Sequence, residues 1–186
     1  MRRGPLILLF LALPALAAEV AGVGVDDRTR VESSDLVLNG AGLRTKYFLN
    51  IYVAGLYLTE KKATPADVLA LPGAKRVSMH LMRDLSAKQL TDALELGIRA
   101  NTSTAELESL QGRVAELTAI MNALQSAKRG DLIALDWVPG TGTRIVLNGE
   151  PRGKVIAGED FYRALLRIWL GDDPAQESLK KALLGG

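Results

Sequence analysis

Residues 39–58 read Asn39-Gly40-Ala41-Gly42-Leu43-Arg44-Thr45-Lys46-Tyr47-Phe48-Leu49-Asn50-Ile51-Tyr52-Val53-Ala54-Gly55-Leu56-Tyr57-Leu58. The first four have turn chemistry, because Asn-Gly and a second glycine accept positive φ. The remainder is rich in β-branched and aromatic residues. It reads as one long strand, or as two strands with a bulge at Gly55. Arg44 stands at the junction. If no bulge intervenes, Arg44, Lys46, Phe48, Asn50 and Tyr52 share one face. An arginine at the mouth of an apolar cleft suits a carboxylate or enolate, since its planar fork donates two parallel hydrogen bonds. The same spacing also fits an exposed strand-end arginine with a packed stem.

The pattern on either side is mixed. A strand is expected over 31–38. Thr64-Pro65 opens a short helix, with threonine as cap and proline at the first helical position, and Pro72-Gly73 ends it. Lys75 to Arg83 alternates, with Val77, Met79 and Leu81 on one face and His80 on the other. Ser86 with Gln89 forms a capping box for a helix to about Ala100 that buries Leu90, Leu94 and Ile98. Ser103 with Glu106 opens a second helical region reaching about Lys128, with a break near Gly112 and Gly130 as its stop. Strands follow over 131–138, 143–148 and 154–157, joined by Pro139-Gly140-Thr141-Gly142 and Asn148-Gly149. An amphipathic helix over 160–170 buries Phe161, Leu165, Ile168 and Trp169. A last helix starts at Asp173-Pro174. This order predicts an α+β domain, with helices packed on a mostly antiparallel sheet.

Residues 1–17 stand apart. Arg2 and Arg3 precede an uncharged apolar run from Leu6 to Leu16, and Ala15-Leu16-Ala17 is an A-x-A cleavage site. These are the parts of a secretory signal peptide, and the run is short of the ~20 residues of a membrane span. The expectation is therefore a leader over 1–17, a domain over 18–186, a periplasmic or secreted location, and no membrane span after cleavage. The chain has 23 basic and 21 acidic residues. Losing Arg2 and Arg3 leaves the two balanced, with no basic footprint for nucleic acid.

The absence of cysteine removes thiol nucleophiles, disulfides, iron–sulfur clusters and Cys-ligated zinc. A single histidine, His80, leaves no multi-His metal site. His80 reads as a surface or packed residue, or less simply as a haem axial ligand. Trp137 and Trp169 read as core or cavity lining. No phosphate loop is present, and Gly140, Gly142, Gly149 and Gly153 read as hairpin glycines. No cofactor is expected.

Asn39-Gly40-Ala41-Gly42-Leu43-Arg44, with Val53-Ala54-Gly55-Leu56-Tyr57-Leu58, resembles the opening motif of the chalcone isomerase family. Arg83-Asp84-Leu85-Ser86 resembles the strand end before that family's first core helix, and Phe161 to Gly171 with Asp173-Pro174 and Leu179 its C-terminal helices. The resemblance runs from about Val31 to Leu184 and is nearest to secreted bacterial chalcone isomerase-like proteins. It implies an open-faced β-sandwich: a large antiparallel sheet covered by a helical layer, with a ligand cleft between. In the plant enzymes the corresponding arginine, here Arg44, stabilises an enolate during an intramolecular Michael addition. The other polar positions of the plant site fall on Tyr52, Leu81, Leu90, Gly97 and Ile168.

That set resembles instead the family's plant fatty-acid-binding branch, where arginine and tyrosine grip a carboxylate below an apolar cavity. The resemblance thus implies a non-catalytic binder of a fatty acid or similar apolar anion, with Arg44, Tyr52, Leu81, Leu90, Ile168 and Trp169 at the site. The alternatives are an isomerase of the intramolecular-lyase type, with Arg44 catalytic, and a haem-binding domain using His80, as yeast mitochondrial relatives suggest. The expected partner is a small apolar or acyl ligand.

Overall fold

A computed structural model describes residues 18–186. The leader expected over 1–17 lies outside the described residues. The chain runs β1 (Ala18–Val20), β2 (Val23–Val25), β3 (Arg28–Val31), β4 (Ser34–Lys46), β5 (Leu49–Leu58), α1 (Pro65–Ala70), β6 (Lys75–Leu81) and β7 (Leu85–Ser86). It continues with α2 (Ala87–Ala100), α3 (Thr104–Ala123), β8 (Ser126–Ala127), β9 (Leu132–Val138), β10 (Gly142–Leu147), β11 (Glu150–Ile156), α4 (Glu159–Leu170) and α5 (Glu177–Leu183). Seven strands form one antiparallel sheet in the order β11-β10-β9-β6-β5-β4-β3. The α+β class and the antiparallel sheet with its helical layer are as the sequence predicts.

Alternation along each strand splits the sheet into two faces. Ala54, Leu56 and Leu58 of β5 and Val77, Met79 and Leu81 of β6 pack against the buried faces of α2, α3, α4 and α5 in the main core. Val53 and Tyr57 point the other way. There they meet Val25, Val31 and Leu36 in a smaller core that Val20 and Val23 of the β1–β2 hairpin pack against. Both helix caps predicted at serine form. Ser86 makes the full reciprocal box with Gln89. Ser103 accepts from the Glu106 amide, while the Glu106 carboxylate is taken by Arg167 of α4 instead of returning to the cap. Among the described residues no helix is long and apolar enough to cross a membrane.

The stretch 39–42 is not a turn. β4 passes straight through it to Lys46 and reverses at Tyr47-Phe48. Its small residues serve packing. A Cβ at Gly40 would stand 2.1 Å from the Ala182 carbonyl oxygen and 2.8 Å from that of Leu183. At Gly42 it would stand 2.7 Å from the Ala182 Cβ. Helix α5 therefore lies directly on the β4 backbone. Asn39, the turn residue by sequence, is buried at a register shift in the strand. Its amide donates to the Leu183 carbonyl at 2.7 Å and to that of Lys62 at 2.9 Å, and its oxygen accepts from the Lys62 amide at 2.7 Å.

Other boundaries move for equally local reasons. The bulges of β4 on β5 fall between Leu38 and Gly40 and between Arg44 and Thr45, not at Gly55. Helix α3 is unbroken at Gly112, because a glycine with open space around it interrupts nothing. It ends at Ala123, since Ser126-Ala127 leaves to pair with Leu85-Ser86. Gly130, at φ +93°, turns the chain into β9 rather than ending a helix. Helix α5 starts at Glu177 rather than at Asp173-Pro174, because the Ala175 amide returns to the Ile168 carbonyl at 2.7 Å and holds the intervening loop.

These contacts predict opposite signs for two glycine substitutions. Gly40→Ala pushes α5 off β4 and lowers unfolding stability by about 3 kcal/mol. Gly112→Ala fills open space in a helix interior and raises it by about 1 kcal/mol. Denaturant unfolding of both variants measures this, and equal effects contradict the packing described.

Candidate functional site

A cavity of about 650 Å³ lies between the sheet and the helices. That volume is in the ~300–1,000 Å³ range of small-molecule sites. Its sheet wall carries Arg44 of β4, Ile51 and Tyr52 of β5, Met79 of β6 and Ile133 of β9. Its helical wall carries Leu90, Leu94 and Gly97 of α2, Met121 of α3, and Ile168 and Trp169 of α4. Gly97 allows α2 and α4 to approach closely. A Cβ there would stand 2.7 Å from an Ile168 methyl. The lining is mainly apolar, and Arg44, Tyr52 and the Trp169 indole bring polar groups to it.

Those groups are held in a chain. Arg44 and Tyr52 are partners across β4 and β5, and that register puts both side chains on the helical side. Trp169 Nε1 donates to the Tyr52 hydroxyl oxygen at 2.9 Å. Arg44 Nη1 donates to the Thr45 carbonyl and, at 3.2 Å, to Gln176 Oε1. Gln176 Oε1 also accepts from the Thr45 amide at 2.9 Å, and Gln176 is the N-cap residue immediately before α5. The docking of α5 on the β4 glycines thus delivers the side chain that holds Arg44.

Two sets of donors remain. Arg44 Nε and Nη2, the edge that matches a carboxylate, make no hydrogen bond of normal length among the described residues, although the guanidinium stands near enough to the Tyr52 hydroxyl to interact with it, and Arg44 enters no ion pair there. The Tyr52 oxygen is already an acceptor for Trp169, and among the described residues its own proton meets no acceptor. Burial pushes the Tyr52 phenol above its ordinary range, and the Trp169 hydrogen bond, the Arg44 charge and hydrogen bonding from Arg44 oppose this without overcoming it. Tyr52 is therefore a neutral donor throughout the physiological range.

Of the sequence-derived site residues, Arg44, Tyr52, Leu90, Ile168 and Trp169 all line this cavity. Leu81 does not. Its backbone is tied to Asp131 and Gly130 at 2.9 and 2.8 Å, and its side chain is in the closed core. Met79, two residues earlier on the same face, lines the cavity in its place. His80 lies on the other face of β6, between Val53 and Leu132, and does not line the cavity. Burial lowers its pKa, partly offset by Asp26. It is not placed to ligate a haem in this cavity. Among the described residues no group of three or more His, Cys, Asp or Glu is set to hold a metal. Sequence reading missed Gln176, whose only signal was its place near the start of the last helix.

Comparison with known proteins agrees with this architecture. A family model described as chalcone isomerase-like matches residues 17–185. No curated protein matches the sequence. Among solved structures, a fatty-acid binding protein of Arabidopsis thaliana superposes with a TM-score of 0.67 at 16% identity, covering 88% of this chain and 92% of that one. At that identity the likeness speaks to the fold. With a family match spanning all the described elements but the final residue, this chain belongs to the chalcone isomerase-like family.

Proposed function

We propose that this protein binds a fatty acid or similar apolar anion without transforming it, in the periplasm or outside the cell. The observation that carries the reading is the Nε–Nη2 edge of Arg44, without a normal-length hydrogen bond among the described residues, beside the neutral Tyr52 hydroxyl in a mainly apolar cavity. An anion there receives two parallel charge-assisted hydrogen bonds and a third from the phenol, and its chain lies against Met79, Leu90, Met121 and Ile168. The fatty-acid binding neighbour supports the same ligand class. Export rests on the basic start, apolar run and Ala15-Leu16-Ala17 site of residues 1–17. Leu90 and Ile168 give no donor for an enone carbonyl or ring hydroxyl, which favours binding over chalcone cyclisation.

Calorimetric titration with palmitate tests the site. Arg44→Ala weakens binding about 10- to 100-fold, as loss of a charged hydrogen-bond pair does. Arg44→Lys does not restore it, because an ammonium lacks the fork. Chalcone turnover abolished by Arg44→Ala, with no palmitate binding, overturns the reading in favour of an isomerase.

The pH dependence follows from Tyr52. Its folded-state pKa is raised, so its contribution to stability is complete below the unfolded value near 10 and is lost only as pH rises beyond it. Palmitate affinity therefore stays level to about pH 10 and falls on the acid side as the ligand carboxyl protonates. An alkaline limb starting near neutrality contradicts this assignment. N-terminal sequencing of protein from the envelope fraction should begin at Ala18; unprocessed Met1 in the cytoplasm contradicts export.

A further inference from the structure

The tip of the β4–β5 hairpin is built against local preference. Tyr47 and Phe48 form a two-residue loop between Lys46 and Leu49, with φ +49° and +65°. Two successive positive φ values favour Asn-Gly, and at the β10–β11 hairpin Asn148-Gly149 does occupy that geometry, with φ +53° and +84°. At the first hairpin two aromatic residues take it and gain almost no packing. Tyr47 is 83% exposed and Phe48 105%. Leu49 and Leu96 of α2 are the next most exposed large apolar residues, at 50% and 66%. Tyr47, Leu49 and Leu96 also line the cavity, so the exposed apolar cluster is its mouth.

The charges beside the mouth are mainly cationic. Lys46, next to Tyr47 in the chain, and Arg83 line the cavity and enter no ion pair among the described residues. Of the acidic residues lining it, Asp92 is paired with Lys88, and Asp173 enters no ion pair among the described residues. A protruding tip of a few apolar residues is far smaller than the ~20–30 residues per side of a stable protein interface. It suits the headgroup region of a bilayer, where Tyr and Phe sit at the polar–apolar boundary and neighbouring cations meet lipid phosphates.

We propose that Tyr47-Phe48-Leu49, with Leu96, inserts into the surface of an anionic bilayer and passes the acyl ligand directly between membrane and cavity. This rests on the acyl-binding reading above, but docking itself can be measured without a ligand. The chain from Ala18 carries every described element and both cores, and is the form to use. Phe48→Ser is the informative variant, because Phe48 is fully exposed and is not part of the cavity wall.

The wild type should float with vesicles of phosphatidylethanolamine and phosphatidylglycerol, and Phe48→Ser should bind them at least about tenfold more weakly, as loss of one buried aromatic implies. An anthroyloxy-labelled palmitate bound to the wild type should transfer at a rate that climbs with vesicle concentration. From Phe48→Ser it should transfer slowly and at a rate independent of vesicle concentration, with unchanged affinity in solution. A wild type that does not float, or a variant that floats and transfers equally well, overturns the proposal. If the wild type floats through Phe48 but binds no acyl probe, the bilayer contact stands and the acyl reading fails.

Discussion

The structure depends on the closeness of α5 to the backbone of β4. Gly40 and Gly42 leave no side chain between them, and Asn39 ties the carbonyl end of the helix to the strand. The start of the same helix places Gln176 against Thr45 and Arg44. A packing constraint near one end of α5 therefore becomes an electrostatic one at the other. The guanidinium is held through Nη1, and among the described residues its bidentate edge makes no normal-length hydrogen bond.

The cavity gains its character from what surrounds that edge. Trp169 uses its only donor on Tyr52, so the indole fixes the phenol and leaves the phenolic proton available. Burial keeps that proton on. Under the proposed function, Arg44 and the neutral Tyr52 donor in a mostly apolar cavity favour an anion with a long apolar body, because other polar groups buried there would find few partners.

Much of this was legible in the sequence, for identifiable reasons. The Ser86 box, the alternation of Val77, Met79 and Leu81, and the apolar stripe of α4 are local signals, and each lies where its pattern puts it. Family resemblance could bring Arg44 and Tyr52 together, whereas the parity argument along one strand does not hold, because the chain reverses at Tyr47-Phe48 with a register shift directly after Arg44, and the two residues meet as cross-strand partners. The misreadings share one cause. Asn39-Gly40-Ala41-Gly42 has the composition of a turn, and only the arrival of α5, some 140 residues later in the chain, shows that the glycines serve close approach. Leu81 has the right parity for the cavity, but depth along a strand is set by tertiary packing and not by parity. Tyr47-Phe48 makes the real reversal with residues that turn statistics do not favour.

The central claim is that Arg44 and Tyr52 hold an anion in the cavity. A crystal structure with a terminally brominated fatty acid tests it most directly. The account predicts the carboxylate within hydrogen-bond distance of Arg44 Nε, Arg44 Nη2 and the Tyr52 hydroxyl, with the bromine signal elsewhere inside the same cavity. A ligand seated outside the cavity, or inside it with its carboxylate away from Arg44, contradicts it.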